Sequence, residues 1–244
     1  MDATSKRWTE VTPSPNPHEV AALELVRRLL PDIAPYAAWS NFSFLSTSGA
    51  VREVDLLVLT RIGPVLLELK HWRGVLTTRP GSGVWLTRQG GREQARDNPL
   101  ILVNQKAKEL KSVIERAARR DAGHRGAVRL PYFRAAVFFS DPTMTCTLPD
   151  DDRHHLYGPP RDPGSGGLPG VDTLLTSTAG QPLDPEVARS FHLLMTMAGI
   201  TRTRSAMRVG EWELDPRPFD EGPTWQDYHA TRLSRPTDYR RVRI

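Results

Sequence analysis

The stretch Glu53–Trp72, EVDLLVLTRIGPVLLELKHW, restricts the fold more than any other part of the chain. Two short apolar runs rich in Leu and Val flank a Gly-Pro breaker. That pattern predicts a hairpin of strands at about Val51–Thr60 and Val65–Lys70, turning at Arg61-Ile62-Gly63-Pro64. With that four-residue turn, partner numbers sum to 125, so Asp55 faces Lys70 and Leu57 faces Glu68. Side chains alternate along a strand. Asp55, Leu57, Glu68 and Lys70 therefore share one face, and Leu67 and Leu69 point to the other, into the core. Two acids and a lysine on strands this apolar need compensation, by a metal or by each other.

The flanking pattern places this hairpin in a mixed sheet. HEVAALELVRRLLP from Pro17 reads as a helix with Leu23, Val26 and Leu30 on one stripe and Pro31 as its stop. Asn41–Ser46 alternates like a short strand. Gly81-Ser82-Gly83 separates two further short strands, the later at Val84–Thr87. A long helix opens at Asn98-Pro99 and runs to about Arg120, with Val103, Ala107, Leu110, Ile114 and Ala117 as its apolar stripe. Phe133–Ser140 is a strand apolar enough to be central in the sheet. The order predicts an α/β fold, a mixed sheet flanked by helices, with a smaller C-terminal segment.

Residues 1–16 read as a loose polar arm, Asp150–Pro169 as a linker or long loop, and Asp184–Ala198 as a helix. The last forty residues place Trp212, Trp225, Tyr228 and Tyr239 among prolines and charges, and RRVRI reads as the start of a strand. No run of about 18 apolar residues exists and no signal-peptide core opens the chain, so neither a membrane partner nor export is expected, and the chain reads as cytoplasmic. One cysteine, Cys146, excludes an internal disulfide framework and a thiolate zinc site. A net charge of +5 and a pI near 9.6 permit a polyanionic partner, and equally an Arg-rich proteome.

Mg²⁺, or Mn²⁺, is a hard cation that takes carboxylate, carbonyl and water oxygens. Asp55 and Glu68 supply two such oxygens and the Leu69 carbonyl a third, leaving Lys70 to orient or deprotonate a water. Glu19 lies on the same stripe as Leu23 and Val26, so it is the carboxylate of the first helix best placed to reach the sheet. The triplet Glu-Leu-Lys is weak by itself, because a second copy at Glu109–Lys111 falls on the polar face of the long helix. On the residues alone, Asp55 and Lys70 fit a structural ion pair as well as a metal site.

Several separated motifs carry a family resemblance over about residues 17–142: a Glu near the start of the first helix, EVDLLVL, GPVLLELKHWRGVL, Trp85, and NPL followed by a Gln. Together they resemble the nuclease-related domain called NERD, of the PD-(D/E)xK nuclease fold. The resemblance implies active-site residues at Glu19, Asp55, Glu68 and Lys70, with Gln105 as an accessory. His18 stands where that family usually has Gly, and Gln105 lies farther from Asn98-Pro99 than is usual. With GEWELDPRPFDEGPTWQDYHATR and the RRVRI ending, the chain is similar to the N-terminal part of the large serine/threonine kinases of phage growth limitation and bacteriophage-exclusion (BREX) systems. The implied organisation is an arm over 1–16, the nuclease-like domain over 17–148, a linker and packing helix over 149–205, and a lead-in to a kinase domain over 206–244 in which no kinase motif appears.

Other residues carry weaker signals. Arg73, Arg79, Arg88 and Lys111 are candidate phosphate contacts, or plain surface charges. Asp150–Asp152 with His154 and His155 read as a solvated turn before a second metal site, Trp72 and Trp85 as packing wedges before base platforms, and Cys146 has no base to activate it. Three functions remain: a Mg²⁺-dependent DNA endonuclease or nickase acting with other components of a phage-defence system, a DNA-sensing or docking module for a kinase, and a structural ion pair with no nucleic-acid role.

Overall fold

The structure of the chain, a computed structural model, describes all residues except 80–83, 122–128, 161–166, 201–207, 210, 215–218, 223–224, 233–234 and 244. Two compact units divide at residues 201 and 202. The first is built on a six-stranded mixed sheet of β1 (Trp8–Glu10), β2 (Ala37–Leu45), β3 (Val51–Thr60), β4 (Gly63–Lys70), β8 (Arg134–Phe139) and β10 (Leu156–Tyr157), in that spatial order. The β2–β3–β4 meander is antiparallel, whereas β1, β8 and β10 each pair in parallel.

Both faces of this sheet are covered, which is why its strands read as unbroken apolar runs. Helices α2 (Pro99–Asp121) and α4 (Pro185–Met197) close one face. Val103, Ala107, Leu110 and Ile114, with Phe191 and Met195, pack there on Leu57, Leu59, Leu66 and Phe139. The fifth position of the α2 stripe is Ala118. Helix α1 (Pro17–Leu29) and the short α3 (Val171–Leu175) close the other, where Ala22, Leu23, Val26 and Leu174 meet Leu56, Val58, Leu67 and Leu69. Asn16 caps α1 by accepting the His18 N–H at 3.0 Å, and Pro17 follows at the first helical position.

A four-stranded sheet, ordered β7 (Arg92–Arg96), β6 (Trp85–Gln89), β5 (Val75–Thr78), β9 (Thr145–Cys146), lies downstream of β4 in the chain. The turn expected at Gly81–Gly83 lies outside the described residues. Gly74 joins β4 to β5 with φ at +82°, and a Cβ there would lie 2.1 Å from the Arg88 carbonyl oxygen, so only glycine fits.

Two segments expected as irregular enter the main sheet. The polar N-terminal arm supplies β1, with Trp8 buried, and the Asp150–Pro169 loop supplies a 3-10 turn at Asp150–Arg153 and then β10, with Leu156 in the core. Cys146, Trp85 and the partly buried Trp72 pack against the core, Trp72 with its ring 5.3 Å from that of Phe139.

The second unit is an antiparallel sheet of β11 (Arg208–Val209), β12 (Trp212–Leu214), β13 (Asp220–Gly222), β14 (Trp225–Arg232) and β15 (Arg235–Arg243), with β14 central. Arg240–Arg243 of the RRVRI ending therefore belong to the end of a strand, not its start. Asp227 on β14 is fully buried and accepts hydrogen bonds from Arg243 at 2.9 and 2.8 Å and from Arg241. Those bonds hold its carboxyl far below the usual range. No helix among the described residues is long and apolar enough to cross a membrane.

Candidate active site

The β3–β4 ladder runs from Thr60↔Gly63 to Leu56↔Leu67, so partner numbers sum to 123. The expected register was two residues off, because Arg61-Ile62 alone forms the turn and Gly63 and Pro64 already lie in the strand. A shift of two leaves the faces unchanged. Asp55, Leu57, Glu68 and Lys70 still share one side, but Asp55 is level with Glu68 and not with Lys70.

Beyond Leu56 and Leu67 the two strands stop pairing. β3 stays bonded to β2, and β4 stays bonded to β8 through Lys70↔Phe139. Asp55 and Glu68 thus stand at a fork. There the Asp55 carboxylate Oδ2 accepts the Leu69 N–H at 2.8 Å, satisfying a donor that the parted strands leave open. On the other side of Asp55 the β2–β3 register skips Asn41, whose φ is 52°.

Glu68 is 7% exposed and both its oxygens are engaged. Lys70 Nζ donates to Oε1 at 2.7 Å and Lys106 Nζ, from α2, donates to Oε2 at 2.8 Å. Burial alone would raise the Glu68 carboxyl, but the hydrogen bonds from Lys106 and Lys70 keep it below the ordinary range. Asp55 goes the other way. Burial, then the charge of Glu68, push it up to about 6 against the pull of the Leu69 N–H and the two lysines. One carboxylate is held ionised while its neighbour is poised to take a proton.

The structure brings together Asp55, Glu68, Leu69 and Lys70, and adds Lys106. It does not join Glu19 to them by any ion pair or hydrogen bond among the described residues. Its helix packs on the opposite face, on Leu67 and Leu69. The first turn of α1 nevertheless lies beside the end of β4, because His18 stacks on His71 with ring centroids 3.8 Å apart and planes 8° apart. Gln105 faces solvent and donates to Glu109 at 2.9 Å, away from Glu68.

Lys106 was overlooked in the sequence, yet a signal for it is there. It sits three residues after Val103 and four before Leu110, interrupting the apolar stripe of α2 as Glu19 interrupts that of α1.

The cations proposed as phosphate contacts are mostly engaged with carboxylates. Arg73 reaches the buried Asp141 at 3.1 Å, Arg79 and Arg88 share Glu93 at 3.0 and 2.6 Å, and Lys111 lies 3.8 Å from Glu115. Two cavities of about 600 and 530 Å³ meet around Leu183, and neither is lined by Asp55, Glu68 or Lys70.

Two carboxylates and a neighbouring carbonyl are hard oxygen donors, and Mg²⁺ commonly uses one or two carboxylates with waters and substrate phosphate for the rest. The donor type fits such a cation. Among the described residues no group of three or more His, Cys, Asp or Glu side chains converges, so the fit rests on the pair at the fork.

A mixed, helix-flanked sheet carrying Asp, Glu and Lys on one face of a central hairpin defines a PD-(D/E)xK nuclease-like protein. Within that class the chain belongs to the NERD, or nuclease-related domain, family, whose model matches residues 14–140. Over 98% of its length it is 37% identical to a Streptomyces coelicolor protein named probable kinase PglW. The chain spans 14% of that relative's length. No solved structure matches it.

Proposed function

We propose that the chain is a Mg²⁺-dependent DNA endonuclease or nickase module of an anti-phage defence kinase. The observation that carries this reading is the fork where Asp55, Glu68 and Lys70 meet. Asp55 and Glu68 would hold the cation with the Leu69 carbonyl, and Glu19 would join them only if the first turn of α1, which lies beside the end of β4, moved toward the fork. When bound, the cation polarises the scissile phosphate and acidifies a water.

The chain's own residues do the rest. Lys70, about a third exposed, orients or deprotonates the attacking water and offsets charge on the phosphorane. The Leu69 N–H fixes the orientation of Asp55. Arg73, Arg79, Arg88 and Lys111 would serve as phosphate contacts for the DNA backbone, exchanging their present carboxylate partners for phosphate. The NERD match over residues 14–140 supports 17–148 as the nuclease-like domain, and the kinase-named relative supports 206–244 as the lead-in to a kinase domain, with other defence components as partners.

Supercoiled plasmid incubated with Mg²⁺ or Mn²⁺ is expected to give nicked or linear product, and Asp55→Ala or Lys70→Ala to abolish it. Cleavage that survives both substitutions would sink this reading. A second reading, a DNA-sensing or docking module with little cleavage, is favoured by one observation: both Glu68 oxygens already carry ammonium partners. Salt-sensitive DNA binding without turnover in either metal would select it.

A further inference from the structure

The fork is charge-balanced before any divalent cation enters. Asp55 and Glu68 contribute two negative charges, and Lys70 and Lys106 two positive ones; both lysines bond to Glu68, while Asp55 beside them accepts the Leu69 N–H. Lys70 follows from the family pattern. Lys106 does not, and it is the more deeply placed of the two. Its side chain is 9% exposed against 30% for Lys70, and it meets a Glu68 side chain that is itself 9% exposed. It reaches the carboxylate from the apolar stripe of α2, between Val103 and Leu110, where an ammonium is costly unless paired.

We infer that Lys106 makes the cation site conditional: a divalent metal and a phosphodiester load together, each weakly alone. A metal sharing Glu68 meets two ammonium groups on the same carboxylate, and that repulsion acts in a partly desolvated setting where charges are poorly screened. A phosphodiester brings the missing negative charge, giving the metal and the ammoniums a common anion. Lysine suits the part, as a point charge on a flexible stem that can swing from carboxylate to phosphate without leaving its helix. Binding linkage then requires the metal to tighten DNA by the same factor by which DNA tightens the metal. This inference rests on the metal-binding reading of Asp55 and Glu68.

The test is Mn²⁺ binding by the 244-residue chain, read from the electron paramagnetic resonance of free Mn²⁺. It is run with and without a phosphorothioate duplex oligonucleotide, subtracting the titration of the duplex alone. For the unsubstituted protein, the duplex should tighten Mn²⁺ by about tenfold or more. Lys106→Met should bind Mn²⁺ alone about tenfold more tightly and lose most of that coupling. Lys106→Gln keeps a donor toward Glu68 without the charge and should behave like Lys106→Met, which separates charge from packing. Lys106→Arg should restore the coupling.

If both neutral variants match the unsubstituted protein in Mn²⁺ affinity and coupling, the inference is overturned while the metal site stands. If no form binds Mn²⁺ better than Asp55→Asn does, the metal reading and the inference fall together.

Discussion

The triplet Glu-Leu-Lys occurs on β4 at Glu68–Lys70 and again on α2 at Glu109–Lys111, and the two copies take opposite roles. Both bury the leucine. On the strand, residues two apart share a face, so Glu68 and Lys70 meet at 2.7 Å. On the helix, residues two apart do not face each other. Glu109 therefore turns to Arg52 of β3, which it binds at 2.7 and 3.1 Å, while Lys111 drifts toward Glu115. The strand copy concentrates charge at a fork. The helix copy ties α2 to β3 three residues upstream of Asp55. The difference lies in backbone period, not in residue type.

That contrast is open to direct attack. The largest effect is expected from Glu68→Ala, which strands the buried Lys106 without a carboxylate and should cost about 3–5 kcal/mol. Glu109→Ala, at a half-buried clamp, should cost about 1 kcal/mol. Urea unfolding followed by circular dichroism measures both, and equal losses would erase the distinction. Next, Lys70→Ala should take plasmid nicking below detection, a loss of at least about 10²–10³-fold. Lys111→Ala should leave nicking near its starting level and reduce the salt slope of DNA binding by roughly one.

The smallest effect is a pair of opposite pH slopes in the metal-free protein. Asp55 is raised to about 6 on folding, so its contribution is present at low pH and is lost as pH climbs through 6. Glu109 is lowered by its Arg52 hydrogen bonds, so its contribution is present above the ordinary glutamate range and is lost as pH falls through it. Carboxyl carbon NMR should show Asp55 titrating near pH 6 while Glu109 remains ionised there. Asp55→Asn should remove the first slope and leave the second.

Strongly periodic segments were legible in the sequence. β3 has the bounds read from its apolar run, and α1 and α4 fall within a residue or two of their caps and prolines. The co-facial Asp55, Glu68 and Lys70 survived a register error because the error was even. What escaped depends on partners distant in sequence. β1 and β10 are three and two residues long, with no period to detect, and exist because β2 and β8 offer them an edge. Gln105 was favoured by motif position, but the turn of the helix gives the inward place to its neighbour Lys106.

The late arrival of β10 has a consequence for how the chain is made. The family match closes at residue 140, at the end of β8, yet that strand is flanked on one side by residues 156–157. On the ribosome, Ala135–Phe139 emerges with β4 to bond to and a bare edge opposite, and it stays so while the next seventeen or so residues are added. A piece cut at residue 148 would keep that edge permanently, and an uncovered apolar edge invites other chains to pair with it. Expressed alone, such a piece should partition into the insoluble fraction, whereas one carried through α4 to residue 200 should not.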